Sequence, residues 1–341
     1  MLAKPVEGYR KLREEQQRMS TTLAPAHPRT LEVPAETFHG FSEQAQREVA
    51  AYVAELGERF PEGRVDAIEV DLDAVPLFTA EVDASRHVID DTAHFIVYDR
   101  IAGVDSLRGQ ALYAWLLGTA LGRPMVQNTD GWRLIEVYDR GIRKTIEDGA
   151  RYHQTKQGSY MHNDAVNDVD PIDYLLLSCG QSAHIGGESI LVDAKPVHEV
   201  LERHPEVLAV LTQDFWFEKR GMSLSQETGF FRSPIIRYTA DGEPLVRYFR
   251  TYIEVAHEKV GEPITDEQRA ALDFFDAVLD QSSVQYRVRL EQGQTLVSAD
   301  DRFLHTRTAF YDRFAPREID MGQDLAADVN RYMFRMWSTK A

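Results

Sequence analysis

Two imidazoles and one carboxylate stand out in this chain. His162 and Asp164 lie two apart in Gly158-Ser-Tyr-Met-His-Asn-Asp164, and His305 follows 143 residues after His162 in Phe303-Leu-His-Thr-Arg-Thr-Ala309. Such a set suits Fe(II), held on one face with the other positions open to a co-substrate and O₂. Zinc accepts the same donors with water in the fourth position, and would then serve a hydrolase. The spacing alone is weak. Of the eleven histidines, His204 also has an acid two residues on, Glu206. Chance gives about that many when roughly one residue in six is acidic. Context separates the two cases. His204-Pro-Glu206 interrupts a helical pattern and reads as a surface turn. His162-Asn-Asp164 precedes a strand-rich region, where side chains at i and i+2 point to one side. Read from this fragment alone, a hydrogen-bonded loop histidine and an Asx turn account for the residues better than a metal site does.

The elements that must position these side chains can be read from periodicity. Phe41–Leu56 is expected as an amphipathic helix, with Ser42 as N-cap and Val49, Tyr52, Val53 and Leu56 on one face. Residues 64–101 read as strand pieces, His94–Tyr98 the clearest. Leu107–Leu121 is a helix stopped by Gly122-Arg-Pro124. From about residue 130 strands dominate: Trp132–Tyr138, Asp173–Cys179, Glu188–Asp193, Ile235–Tyr238, Val246–Phe249, Val284–Leu290, Thr295–Ser298 and Arg331–Trp337. Helices are expected over Val197–Leu211 and Thr265–Gln281. Many short strands broken by a few helices predict a mainly β chain with helices, a sandwich or jelly-roll core. Residues 1–35 are polar and Pro-interrupted and read as a surface wrap. We divide the chain into an N-terminal helical and irregular region, 1–80, packed on a core of residues 81–341.

Composition narrows the partners. The chain has 341 residues, 43 % hydrophobic and 27 % charged, enough for a sizeable core. A net charge of −17 repels nucleic acid and anionic membrane, so neither is expected as a partner. An anionic small ligand must then be captured by local arginines. The single cysteine, Cys179, lies in an apolar run and suits a reducing cytoplasm. No secretory leader and no run of about 18 apolar residues is found, so no membrane span is expected. Homo-oligomerisation is left open.

Four segments, in order over residues 90–337, resemble the TauD/TfdA, clavaminate-synthase-like group of Fe(II)/2-oxoglutarate dioxygenases. They are Met161-His-Asn-Asp164, Gly186-Gly-Glu-Ser-Ile-Leu-Val-Asp193, Ala299-Asp-Asp-Arg-Phe-Leu-His-Thr-Arg-Thr-Ala-Phe310 and the closing Arg331-Tyr-Met-Phe-Arg335. The resemblance implies a double-stranded β-helix (jelly-roll) fold, with Fe(II) on His162, Asp164 and His305, and 2-oxoglutarate and O₂ as co-substrates. It implies hydroxylation of an unactivated C–H with release of succinate and CO₂. Asp164 matters here, because related halogenases carry Gly or Ala where this carboxylate stands. Desaturation and ring closure by the same site stay open.

One position departs from the family. The arginine for 2-oxoglutarate commonly falls ten to fifteen residues after the distal His, where Arg317 stands, whereas Arg331 comes 26 residues after His305. We prefer Arg331, because residues 316–329 read as a loop insertion. Arg331, Met333, Arg335 and Trp337 would then share one strand face. Ser189 would add a hydroxyl to the same carboxylate. Arg335 is the candidate for an acid group on the substrate, and Ser159, Tyr160 and Gln127, with Asn163 behind them, are candidates for the pocket wall. Arg307 and Arg313 read as residues either backing the site or at the surface. A small carboxylate-bearing substrate such as an amino acid is the natural expectation. A zinc hydrolase lacks a His-Glu-x-x-His helix here and leaves the two C-terminal arginines unexplained. An inactive jelly-roll binding protein is at odds with the complete ligand set.

Overall fold

The computed structural model describes residues 30–142, 152–169, 171–220, 228–317, 319–325 and 329–340. The surface-wrapping expectation for the N-terminus therefore falls, up to residue 29, outside the described residues. Helix α1 (Glu43–Arg59) begins where Ser42 Oγ accepts from Ala45 N, and it buries Val49, Tyr52, Val53 and Leu56. Helix α2 (Pro76–His87) has Pro76 in its first turn, where the missing N–H has no intrahelical partner to lose. Strand β1 (Phe95–Tyr98) leads to helix α3 (Leu107–Leu121), capped by Ser106. Gly122 ends α3 under a close approach, since a Cβ there would lie 2.1 Å from Thr339 O. Next come β2 (Leu134–Val137), β3 (Tyr174–Gln181), β4 (Ser189–Asp193), α4 (Ala194–Leu201) and α5 (Pro205–Leu211). Two hairpins follow, β5 (Asp214–Arg220) with β6 (Thr228–Pro234) and β7 (Ile236–Tyr238) with β8 (Pro244–Val246). Helices α6 (Arg250–Val260) and α7 (Asp266–Leu279) precede β9 (Gln285–Val288), β10 (Thr295–Ala299), β11 (Phe303–Arg307) and β12 (Tyr332–Thr339).

The strands close into a double-stranded β-helix. The larger sheet runs β1, β10, β3, β12 in antiparallel order, with β2 also on β12. The smaller sheet is β9, β4, β11. Phe95, Val97, Leu296 and Met333 of the larger sheet meet Leu191, Val288 and Phe303 of the smaller across the interior. Helices α1 to α3 cover the outer face of the larger sheet through Tyr98, Leu176, Phe334 and Met336. Helices α4 to α7 cover the smaller sheet through Val192 and Leu304. Strand β12 shows the alternation that this requires. Phe334 and Met336 lie in the helical layer, so Met333, Arg335 and Trp337 point the other way.

Three expectations need correction. Residues 64–101 are not all strand pieces, because α2 lies among them and buries Phe78, Val82 and Ser85 at helical spacing. The expected helix over 197–211 is two helices that break before Pro205, because a residue ahead of proline is steered out of the helical region. The expected strand Val246–Phe249 stops at Val246 and gives way to α6. The β5–β6 hairpin was not foreseen, although Phe215 and Phe217, both buried, alternate as a strand requires.

Candidate active site

Backbone pairing brings the two distant histidines together. His162 and His305 form an antiparallel bridge: His162 N donates to His305 O at 3.0 Å and His305 N to His162 O at 2.8 Å. Their rings stand 4.3 Å apart. The pairing continues outward, since Ser159 N donates to Arg307 O at 3.0 Å and Arg307 N donates to Ser159 Oγ at 2.9 Å. Asp164 is fixed from behind, its N–H donating to Asp300 Oδ1 at 3.1 Å. Ligand atoms of His162, Asp164 and His305 all lie within 4.8 Å of one another.

The donor chemistry fits a metal ion. His162 Nδ1 meets Tyr160 O at 2.7 Å, which fixes the tautomer and leaves Nε2 toward Asp164 Oδ1 at 3.5 Å. His305 Nδ1 is buried without a protein partner. Burial first, then the neighbouring His162, push the His305 imidazole down to about 3, so it stays a neutral donor. Burial opposes ionisation of Asp164, yet the Arg335 charge, with His162 and His305, holds its carboxyl well below the usual carboxylate range.

The depressed His305 has a consequence for the metal-free protein. Below its ordinary 6.5 the unfolded chain takes a proton on this imidazole that the folded chain refuses until about 3. Stability contributed by the neutral ring is complete above that window and is lost as pH falls through it. At about pH 4.5 the loss is about 2–3 kcal/mol. Chemical unfolding with chelator present should show wild type losing stability on acidification relative to His305→Leu. Parallel pH curves for the two proteins would refute this.

A second group of residues is carried in part by β4, which pairs with the strand of His305. Ser189, Gly187, Arg331 and Met333 line one small cavity with Cys179 and Ala183. Arg331 is 5 % exposed, and its Nη1 is buried without an acceptor. Burial pushes its guanidinium down to about 10. Gly187, at φ +73°, would carry a Cβ 3.1 Å from Arg331 Nε, so a side chain there would be strained and would press on the guanidinium. A buried guanidinium that lies over the Phe310 ring, with Nη1 lacking an acceptor and a hydroxyl lining the same cavity, fits the distal carboxylate of 2-oxoglutarate. Arg317, by contrast, is exposed and lies over the Phe314 ring.

The other expected residues fall into distinct places. Arg335 Nη1 lies 3.2 Å from Asp164 Oδ2, and its Nε donates to Gln127 Oε1 at 2.9 Å. Gln127 is buried, and its amide also donates to Arg133 O and Arg335 O at 2.6 and 3.1 Å, so it holds Arg335. The Ser159 hydroxyl is engaged by Thr306 Oγ1 and Arg307 N. Tyr160 meets the site through its carbonyl. Asn163 spans Asp300 O, Phe303 O and Tyr248 N with its amide, bracing the loop that carries Asp164.

Two residues carry more than the sequence suggested. Arg307 is no surface residue: it donates to Thr155 O and Gln157 O, ahead of the metal ligands. Its position two residues after His305 put it on the same strand face. Trp337 Nε1 donates to Asp164 Oδ2 at 2.7 Å. The period-2 face it shares with Arg331 and Arg335 was the available signal.

The chain is 25 % identical over 293 residues to FR-33289 synthase of Streptomyces rubellomurinus (strain ATCC 31215), covering 84 % of this chain and 81 % of that protein. A uridine-5'-phosphate dioxygenase of Streptomyces sp is 29 % identical over 178 residues, 50 % of this chain and 62 % of that protein. Among solved structures, asparagine oxygenase with Fe(II), 2S,3S-3-hydroxyasparagine and succinate superposes at a TM-score of 0.64 and 17 % identity, covering 89 % of this chain and 93 % of the other. The non-heme iron oxygenase OrfP with Fe gives 0.62 at 16 % identity, covering 91 % and 95 %. The likeness to these two structures is one of fold. The family model of the taurine catabolism dioxygenases matches residues 57–337, a span that takes in both histidines, Asp164 and the closing arginines. This chain belongs to the TauD, TfdA family and is a 2-oxoglutarate-dependent non-haem iron dioxygenase.

Proposed function

We propose that the enzyme hydroxylates an unactivated C–H of a small carboxylate-bearing molecule such as an amino acid. Fe(II), 2-oxoglutarate and O₂ supply the oxidising power, with succinate and CO₂ released. In this reading His162, Asp164 and His305 hold the metal, and Arg331 with Ser189 holds the distal carboxylate of the co-substrate. The observation that carries the assignment is the buried Arg331 Nη1 without an acceptor, in a cavity that Ser189 also lines. Arg335 stands four residues along the same strand face, next to Asp164, where it can meet an acid group of the substrate. Gln127 holds Arg335 there, while Tyr160 and Ser159 line the segment ahead of His162. The amino-acid reading is favoured by the likeness to asparagine oxygenase and to OrfP, seen with (3S)-hydroxy-L-Arg. The uridine-5'-phosphate dioxygenases favour a second reading, in which a phosphate ester provides the anion. Cys179 is buried, its thiol pushed up to about 12 by burial; a lone structural thiol supports a cytoplasmic location.

The test is iron-dependent succinate release across panels of L-amino acids and nucleoside 5'-phosphates, with product mass recorded. An amino acid that stimulates succinate release and gains one oxygen is the expected result. Stimulation by phosphate esters alone would replace the first reading with the second. Zinc-dependent hydrolysis without oxygen consumption would overturn both.

A further inference from the structure

We propose that Trp337 is a positioning residue for the metal-binding carboxylate: its indole N–H holds Asp164 Oδ2 away from the metal, leaving Oδ1 as the single oxygen donor. This rests on the iron-site reading above and goes beyond it. The two carboxylate oxygens have different surroundings. Oδ1 faces His162 Nε2 at 3.5 Å, on the side of the other ligands. Oδ2 accepts from Trp337 Nε1 at 2.7 Å and lies 3.2 Å from Arg335 Nη1. Arg335 also reaches Oδ1, at 3.4 Å, so its guanidinium neutralises the carboxylate without choosing between oxygens. The choice falls to the indole, a single directional donor.

The indole is itself fixed. Trp337 is 3 % exposed and packs with Ala165, Ile172 and Leu175. Backbone pairing sets it opposite Leu175 on β3. The Asp164 backbone is held independently by Asp300 Oδ1, so what remains is rotation of the side chain about its own two bonds, and the directional contact to Trp337 Nε1 sets where Oδ2 lies.

The consequence is a count of open positions. Two histidines and one carboxylate oxygen would supply three donors to a bound Fe(II) and would leave room for the co-substrate and O₂. An Asp164 carboxylate turned to offer both oxygens would compete for that room. An outer partner of this kind matters to metal affinity, typically by about 10–100-fold.

The experiment compares wild type, Trp337→Phe and Trp337→His, the last able to restore an N–H donor. Anaerobic Fe(II) titration with saturating 2-oxoglutarate reads affinity and the visible charge-transfer band, and O₂ pulses read the decay of that band. Trp337→Phe should bind Fe(II) about 10–100-fold more weakly, with a shifted band and slowed decay, and Trp337→His should recover part of each. A Phe variant with wild-type band position, affinity within about twofold and unchanged decay would overturn the proposal while the dioxygenase reading stands. No band in wild type would instead sink that reading. If Trp337→Phe fails to fold, benzothienylalanine at position 337 keeps the ring volume, lacks the N–H and must show the same changes.

Discussion

Arg331→Met should raise the 2-oxoglutarate concentration needed for half-maximal succinate release by roughly 30- to 4,000-fold. Losing one partner of a desolvated, charge-assisted pair costs about 2–5 kcal/mol, and each 1.4 kcal/mol is about tenfold. The same substitution should make the metal-free protein more stable, not less. Arg331 is buried, its Nη1 has no acceptor, and burial already pushes the guanidinium down to about 10. Replacing a buried cation that has only a ring contact with Phe310 and an Nη1 without an acceptor by an apolar side chain of similar length removes that penalty, by about 1–4 kcal/mol in comparable buried ionic sites. Thermal melts separate the two effects. The iron-loaded wild type should gain stability when 2-oxoglutarate is added, because a ligand that binds only the folded state stabilises it. Arg331→Met should start higher and gain little. Arg317→Ala should behave as wild type in both assays, since that side chain is exposed over Phe314. If Arg317→Ala carried the co-substrate defect and Arg331→Met did not, the loop-insertion argument would be wrong.

The period-2 face of residues 331–337 was legible because one side of β12 meets α3, and Phe334 and Met336 are too apolar to face elsewhere. The start of α1 was legible through Ser42 and the end of α3 through Gly122, local signals that need no tertiary context. Helix α6 was not. Its first turn, Arg250-Thr-Tyr-Ile253, is rich in strand-favouring residues, and packing of Ile253 in the layer below β4 and β11 decides the outcome. The metal triad was legible as residue types, but the pairing that joins His162 to His305 is a long-range backbone bridge without a local signature. Individual polar residues were least legible. Gln127 and Arg307 are defined by the carbonyls they bond, and a sequence does not say which carbonyls come near.

Replacing the metal ligands should abolish iron-dependent turnover in each case, yet the variants should part company in stability. His305→Leu removes a neutral ring whose Nδ1 is buried without a partner. Its loss takes away a metal donor but no protein hydrogen bond from that nitrogen, so the metal-free protein at neutral pH should melt close to wild type. Asp164→Ala is different. The carboxylate accepts from Trp337 Nε1 at 2.7 Å and pairs with Arg335 Nη1 at 3.2 Å, and both donors lose their acceptor together. Removing one partner of a buried pair costs about 3–5 kcal/mol. Arg335 keeps its bond to Gln127, which places the expectation toward the lower end, at about 3 kcal/mol. Anaerobic titration should show no Fe(II)/2-oxoglutarate charge-transfer band in either variant, and urea unfolding with chelator present should show a large loss for Asp164→Ala alone. Equal stability of the two variants would mean that Asp164 serves the metal without bracing β12. A retained band in His305→Leu would remove His305 from the ligand set. The asymmetry follows from how the site is built: the histidines are placed by backbone pairing, whereas the carboxylate is placed by side chains that in turn depend on it.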